Sequence, residues 1–323
     1  MTLRAGAAKT VITPEQSLPM GGYAKYHHIL LWPLFPRRST GVHDDIHARA
    51  LVLDDGQTTL ALVAVELMAY YHHDVLAVRE QVRLKTGRDD IQVMVAAIHI
   101  HSGPDTYGIY GGVPQSYRQF TYEQCAKAVA QALDSLRPAR IGFATTELQG
   151  IAGNIRLRDD PPSIDPEVGI MHVLGESGQP VATVANYALH ADYLFQDNTL
   201  ISADFASFFH QRVEEELGGL AIYLNAAQGD VYPLSTIADP QGEKGLRTFV
   251  EAEKAGLALA EATLAALPGD ESLASSAPLA VRKRTFQIPV SNSLLRILQR
   301  IGIIKRQRFN GNVQSEVWVV NVG

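Results

Sequence analysis

The sequence predicts an α/β fold: a mixed, largely buried β-sheet in layers flanked by helices, with the active site at the C-terminal ends of strands. Three observations predict it. Short runs rich in Val, Ile, Leu and Ala recur without clean alternation at residues 59–65, 91–98, 181–188 and 220–224, as in strands covered on both faces. Longer segments with apolar residues at helical spacing lie between or after them, at 74–86, 117–136, 205–217 and 248–267. Each run also ends in polar groups: Glu66 after the first, His99 and His101 after the second, His190 after the third, Asn225 and Asp230 after the fourth. Ligands of open α/β sheets bind beyond the carboxyl ends of strands, so these four exits are expected to converge on one site.

The second run carries the strongest signal. It opens into His99-Ile100-His101-Ser102-Gly103-Pro104, and alternation along a strand would turn both imidazoles to one face. Such a pair can serve as nitrogen ligands of a zinc-type ion, or as one ligand beside a proton donor, or be an ordinary hydrogen-bonded pair at a strand end. In the 117–136 helix the lone Cys125 excludes an internal disulfide and reads as a small core residue. Asp204 precedes the 205–217 helix, where a carboxylate caps free amides and could also orient a metal-bound histidine. His43 and His47 could line the site's mouth, His172 and His210 read as structural, and of the pairs His27-His28 and His72-His73 at most one member each is expected to face a cleft.

Residues 268–278, rich in Ser, Ala and acidic groups, read as a linker. Residues 291–308 alternate Leu and Ile with Arg296, Arg300, Lys305, Arg306 and Arg308, a basic amphipathic segment suited to peripheral membrane contact or to packing on the protein's own body. Residues 315–323 read as a final strand and turn glycine.

Composition narrows the function. With 46% hydrophobic and 19% charged residues among 323, and no apolar window of spanning length, the chain reads as a soluble globular protein. A net charge of −6 argues against nucleic acid as the main partner. The first residues lack the apolar core of a secretory signal, so the expected location is cytoplasmic. The oligomeric state is not legible.

An ordered series of motifs resembles the amino-terminal catalytic domain of the neutral/alkaline non-lysosomal ceramidase family. Residues 4–14 are similar to its opening, Gly21-Gly22-Tyr23 to its Met-Gly-Tyr turn, and Gly41-Val42-His43 with residues 48–52 to its Gly-x-His and Ala-Arg-Ala elements. Residues 99–104 are similar to its His-Thr-His-Ser-Gly-Pro signature, followed in order by 165–168, 186–190, 200–204 and 225–233. The resemblance implies a single catalytic domain over 1–323 and a zinc-dependent hydrolase of an amide (N-acyl) or ester bond in a small-molecule or lipid-like substrate. It puts His99 and His190 on the metal and His101 beside it as a proton-handling or substrate-orienting group. Arg156 matches the family's active-site arginine, with Arg158 its rival. Asp230 and Tyr232 fall in the element Gly229-Asp230-Val231-Tyr232-Pro233, where the family carries serine in place of Tyr232, and ceramide is therefore expected to be a poor substrate.

The family's later glutamate and tyrosine ligands have no match, so an incomplete C-terminal end, weak zinc binding and little activity are expected of this chain, with Glu66, Asp204 or Asp230 as substitute oxygen ligands. The alternatives are a non-catalytic relative that keeps the fold and, less favoured, a two-metal phosphoesterase using Asp44-Asp45 and Asp159-Asp160.

Overall fold

The computed structural model describes residues 2–24, 35–157, 163–237, 246–302 and 312–323. Among them, eight strands form one mixed sheet: β1 (Arg4–Val11), β2 (His47–Asp54), β3 (Thr59–Val65), β4 (Gln92–Ala97), β5 (Arg137–Glu147), β6 (Glu167–Gly175), β7 (Pro180–Tyr187) and β8 (Leu220–Asn225). Their spatial order is β8-β7-β6-β5-β1-β2-β3-β4. Pairing is antiparallel except at the two ends, where β3 and β4, and β7 and β8, run parallel. Parallel neighbours need a crossover, and helices supply both: α1 (His72–Thr86) between β3 and β4, α3 (Phe205–Leu217) between β7 and β8. Asp74 starts α1 by accepting the Tyr71 amide at 2.7 Å, and Gly87, at φ 68°, ends it in a left-handed turn that glycine enters without a Cβ penalty.

β1 and β5 meet only at Arg4↔Pro138 and Ala5↔Arg137. Past that corner the sheet doubles over, so that β1 approaches β7 and β8, and β3 approaches β8. Helix α2 (Gln115–Asp134) packs with α1 over β1 and β2, while α4 (Phe249–Ala265) packs with α3 over the other half. The core fills the space between the halves and beneath the helices, with Leu51, Val63, Phe205, Phe209, Ile222 and Tyr223 fully buried. The expected buried layers flanked by helices are thus observed. The antiparallel strands β1, β5 and β6 escape a search for apolar runs because their burial is interrupted along the strand, as in Arg137–Glu147 with Arg, Pro, Thr and Glu among its residues.

The terminal strand does not join the main sheet. β10 (Asn312–Val322) pairs along its length with β9 (Leu279–Pro289), and Glu316 ties it to Arg79 of α1. Between them lies α5 (Ser293–Arg300). His27, His28, Arg158, Asp159, Asp160, Lys305, Arg306 and Arg308 fall outside the described residues. No helix among those described is long and apolar enough to cross a membrane.

Candidate metal centre

His99, His101 and His190 come together just past the ends of β4 and β7, the first members of the site to be built by the two parallel edges. Their ring centroids stand 4.8 to 5.3 Å apart, and one ligand nitrogen from each lies within 4.8 Å of the others. Strand alternation is not what brings His99 and His101 together. β4 ends at Ala97, and His99 itself takes a left-handed backbone, φ 65°, a conformation that costs a non-glycine residue roughly 1–3 kcal/mol. Backbone bonds hold the turn: Ile98 N to Val65 O, His99 N to Leu67 O, and His101 N to Ala191 O at 3.2 Å. The last of these stitches the loop after β4 to the loop after β7.

Arg37 completes the frame. Its nearly buried guanidinium donates to Gly21 O, His101 O, Phe195 O and Asn198 O at 2.7 to 2.9 Å, so one cation fastens three segments by backbone carbonyls. Gly22, at φ 87°, passes so close that a Cβ there would lie 2.5 Å from His101 Nδ1. Only glycine fits.

Two of the rings have their orientation set by main-chain oxygens. His99 Nδ1 pairs with Met68 O at 2.8 Å and His190 Nδ1 with Gln228 O at 3.1 Å. A carbonyl can only accept, so both are Nδ1–H tautomers with an Nε2 lone pair left for another partner. Both ring nitrogens of His101, Nδ1 and Nε2, are buried without a hydrogen-bond partner. Burial holds all three imidazoles below their usual range, His190 to about 4 with His99 adding to the effect, and His101 well below with both neighbours adding. Three neutral imidazoles facing one point, one with both nitrogens unpartnered, have the kind of donors a zinc-type ion takes.

A ribbon of Ala152–Asn154 and Val231–Pro233 forms the wall. It stacks the Tyr232 ring on His190, centroids 4.1 Å apart and 17° from parallel. Burial, then Asp192 and Asp230, push the Tyr232 phenol above its ordinary value, so it stays protonated. Arg156 follows on the exposed rim, its Nε donating to Asp230 Oδ1 at 2.7 Å. Asn225, expected at the site, lies behind it and bonds Ile98 O and Gln228 Oε1.

Not every strand exit converges. Glu66 turns into a separate buried cluster with Arg49, His47 and His210, beside a groove of about 500 Å³ lined also by His43, Asp44, Asp45 and Glu214. Asp44 binds Ser202 Oγ and Ala203 N, and Asp45 binds Thr13. Asp204 caps α3 and holds the Tyr193 and Leu194 amides. Among the described residues, the histidine trio is the one group of three or more His, Cys, Asp and Glu side chains placed to hold an ion. His172 bonds Thr183 and His210 accepts the Tyr223 amide, both structural as expected.

The cluster carries its own pH test. Burial and Arg49 depress His210 to about 4. An unfolded histidine titrates near ~6.5, so its contribution is fully present above that value and is lost as pH falls towards 4. Between pH 7 and 5 the wild type should lose about 2 kcal/mol more stability than His210→Gln. Equal losses in urea titrations would contradict this.

Sequence reasoning missed two residues at the centre, Tyr23 as a side chain and Asp192. Asp192 stands two positions after His190, the same offset that drew attention to His101 after His99.

A sequence model of the neutral/alkaline non-lysosomal ceramidase amino-terminal region matches residues 4–238. The chain belongs to this ceramidase family. It is 24% identical over 295 residues to neutral ceramidase of Pseudomonas aeruginosa, covering 80% of this chain and 42% of that one. It is also 24% identical over 214 residues to neutral ceramidase 1 of Arabidopsis thaliana, covering 59% and 26%. The crystal structure of the Pseudomonas ceramidase superimposes with a TM-score of 0.75 at 20% identity, over 88% of this chain and 48% of that one. The chain therefore spans less than half the length of these ceramidases, and shares the fold of the region it covers.

Proposed function

We propose that the chain works as a ceramidase-like, metal-dependent hydrolase of an N-acyl amide or ester bond, with a lipid-like substrate and zinc as the metal. The observation that carries the reading is the convergence of three neutral imidazoles at the exits of β4 and β7, beneath Tyr232 and Arg156, in a chain of this family. His99 and His190 would hold the ion, with His101 adjoining. A zinc-type ion there supplies Lewis acidity and an acidic water near neutral pH.

The chain's own groups divide the remaining work. His101 Nε2, buried and unpartnered, can take a proton from water and return it to the leaving nitrogen. Tyr232, protonated at neutral pH, can donate to the oxygen of the scissile carbonyl, and Arg156 brings positive charge to the rim where a tetrahedral oxyanion would form. On α5 and the turn that follows it, exposed Leu294, Ile297 and Ile301 beside Arg296 and Arg300 support peripheral contact with a membrane that presents such substrates.

The test is hydrolysis of N-acyl amides of graded chain length by metal-loaded and chelator-stripped protein. Slow, metal-dependent cleavage is expected at saturating zinc, as suits a site with two histidine ligands; equal rates in stripped protein, or none with zinc restored, would refute the reading. Tyr232 fills space over His190 where the resembled family has a serine, so ceramide should be cleaved more slowly than short N-acyl amides. Tyr232→Ser should shift that preference towards ceramide, and an unchanged ratio of kcat/KM values would show that the ring does not select.

A further inference from the structure

Behind the Nδ1 edge of His101 the chain buries a carboxylate. Asp192 is fully buried; its Oδ2 accepts a hydrogen bond from the Tyr23 hydroxyl and lies 3.4 Å from His101 Nδ1, while its Oδ1 has no hydrogen-bond partner. Burying an incompletely paired carboxyl group costs several kcal/mol, so an apolar residue would serve packing better. The expense has a chemical counterpart. His99 and His190 present Nδ1 to backbone carbonyls, whereas no carbonyl reaches Nδ1 of His101. Asp192 stands where that carbonyl would be.

The surroundings leave the pair little freedom. Asp192 N bonds His190 O at 2.9 Å, and His101 N bonds the neighbouring Ala191 O, so the carboxylate and the ring ride on stitched segments. Gly22 closes against His101 Nδ1, and the next residue, Tyr23, sets its ring edge-on to the imidazole at 5.4 Å while its hydroxyl reaches Asp192. Arg37, beneath the Tyr23 ring, adds a fixed positive charge.

We propose that Asp192, held by the Tyr23 hydroxyl, is a positioning residue that fixes His101 as its Nδ1–H tautomer and turns Nε2 to the point faced by His99 and His190. Burial lifts Asp192 well above the usual carboxylate range, but the oxygen that faces His101 is Oδ2, which already accepts from the Tyr23 hydroxyl and can only accept again, so it selects a proton on Nδ1 and leaves the Nε2 lone pair for the reaction. For its effect on turnover this rests on the hydrolase reading; the tautomer does not depend on it.

The experiment is two-bond 1H–15N correlation on the full chain, histidine-labelled and metal-free, at pH 7.5. Wild-type His101 should report Nδ1–H. Asp192→Asn can turn an amide N–H towards Nδ1, and should move His101 to Nε2–H while the signals of His172 and His210 stay in place and certify the fold. Because His101 stands beside the ion and not on it, kcat for an N-acyl substrate should fall about 10–100-fold in that variant while zinc affinity, read by chelator competition, holds near the wild-type value. A wild-type His101 that is already Nε2–H overturns the proposal without any variant. So does an unchanged tautomer in folded Asp192→Asn. Nδ1–H in a wild type that binds no zinc and cleaves no N-acyl bond would instead defeat the hydrolase reading and leave the positioning role standing.

Discussion

Replacing His99 or His190 with alanine should abolish metal binding and hydrolysis together. Each imidazole is anchored through Nδ1 to a main-chain oxygen, Met68 O or Gln228 O, so its Nε2 is committed to the shared point and has no neighbouring imidazole to replace it once His101 is spoken for. A lost ligand removes the Lewis acid itself, so the effect should exceed the ~10–100-fold typical of outer partners. Metal per chain and kcat/KM for an N-acyl substrate should fall in step. His190→Ala also unstacks Tyr232, so thermal unfolding must be followed alongside to separate lost chemistry from a loosened wall. Retention of stoichiometric zinc by both variants would place the ion elsewhere; retention of activity without zinc would exclude a metal mechanism.

The second large effect is on stability. Arg49→Ala should cost about 3–5 kcal/mol, the range for breaking a buried ion pair by removing one partner. Arg49 sits on β2 with its side chain 5% exposed, its Nε on Glu66 Oε1 at 2.6 Å and its Nη1 on Glu214 Oε1 at 2.5 Å and Ala221 O at 3.0 Å. The guanidinium thus joins the first half of the sheet to α3 and β8 of the second. Burial would raise Glu66, yet Arg49, with His210 and His47 bonding the carboxylate, holds it well below the usual range. Without Arg49 that charge remains enclosed. Glu66→Gln should cost less, because the amide keeps an acceptor for the His47 main-chain N–H, now 2.6 Å from Glu66 Oε2. Urea unfolding at pH 7 measures both, and an Arg49→Ala variant within ~1 kcal/mol of wild type would show that the pair does not fasten the halves.

How much of this was legible beforehand depended on whether the signal was local. A strand buried on both faces must be apolar throughout, so β3, β7 and β8 announce themselves, as does the Asp204 cap, whose carboxylate acts on the next amide; β4 is legible by its apolar composition although it is only half-buried at the sheet edge. The ordered motifs likewise point to the family and to His99, His101 and His190, because residue identity at a strand exit is written in the chain. Strands β1, β5 and β6 are half exposed, and their mixed composition hides them.

By itself, then, the sequence determined the α/β class, the family and the chemically able residue types at the strand exits. The tertiary structure alone decided which of them meet. His99 and His101 converge through a left-handed turn that strand periodicity does not encode. Glu66, at an exit like the others, is drawn away by the charge of Arg49. Asp192 reaches His101 across 91 positions because the loops after β4 and β7 are bonded to each other, a contact set by how the sheet doubles over and how the loops close on Arg37. Periodicity reports the face a residue presents to its own element; which distant side chain fills that face is settled by packing.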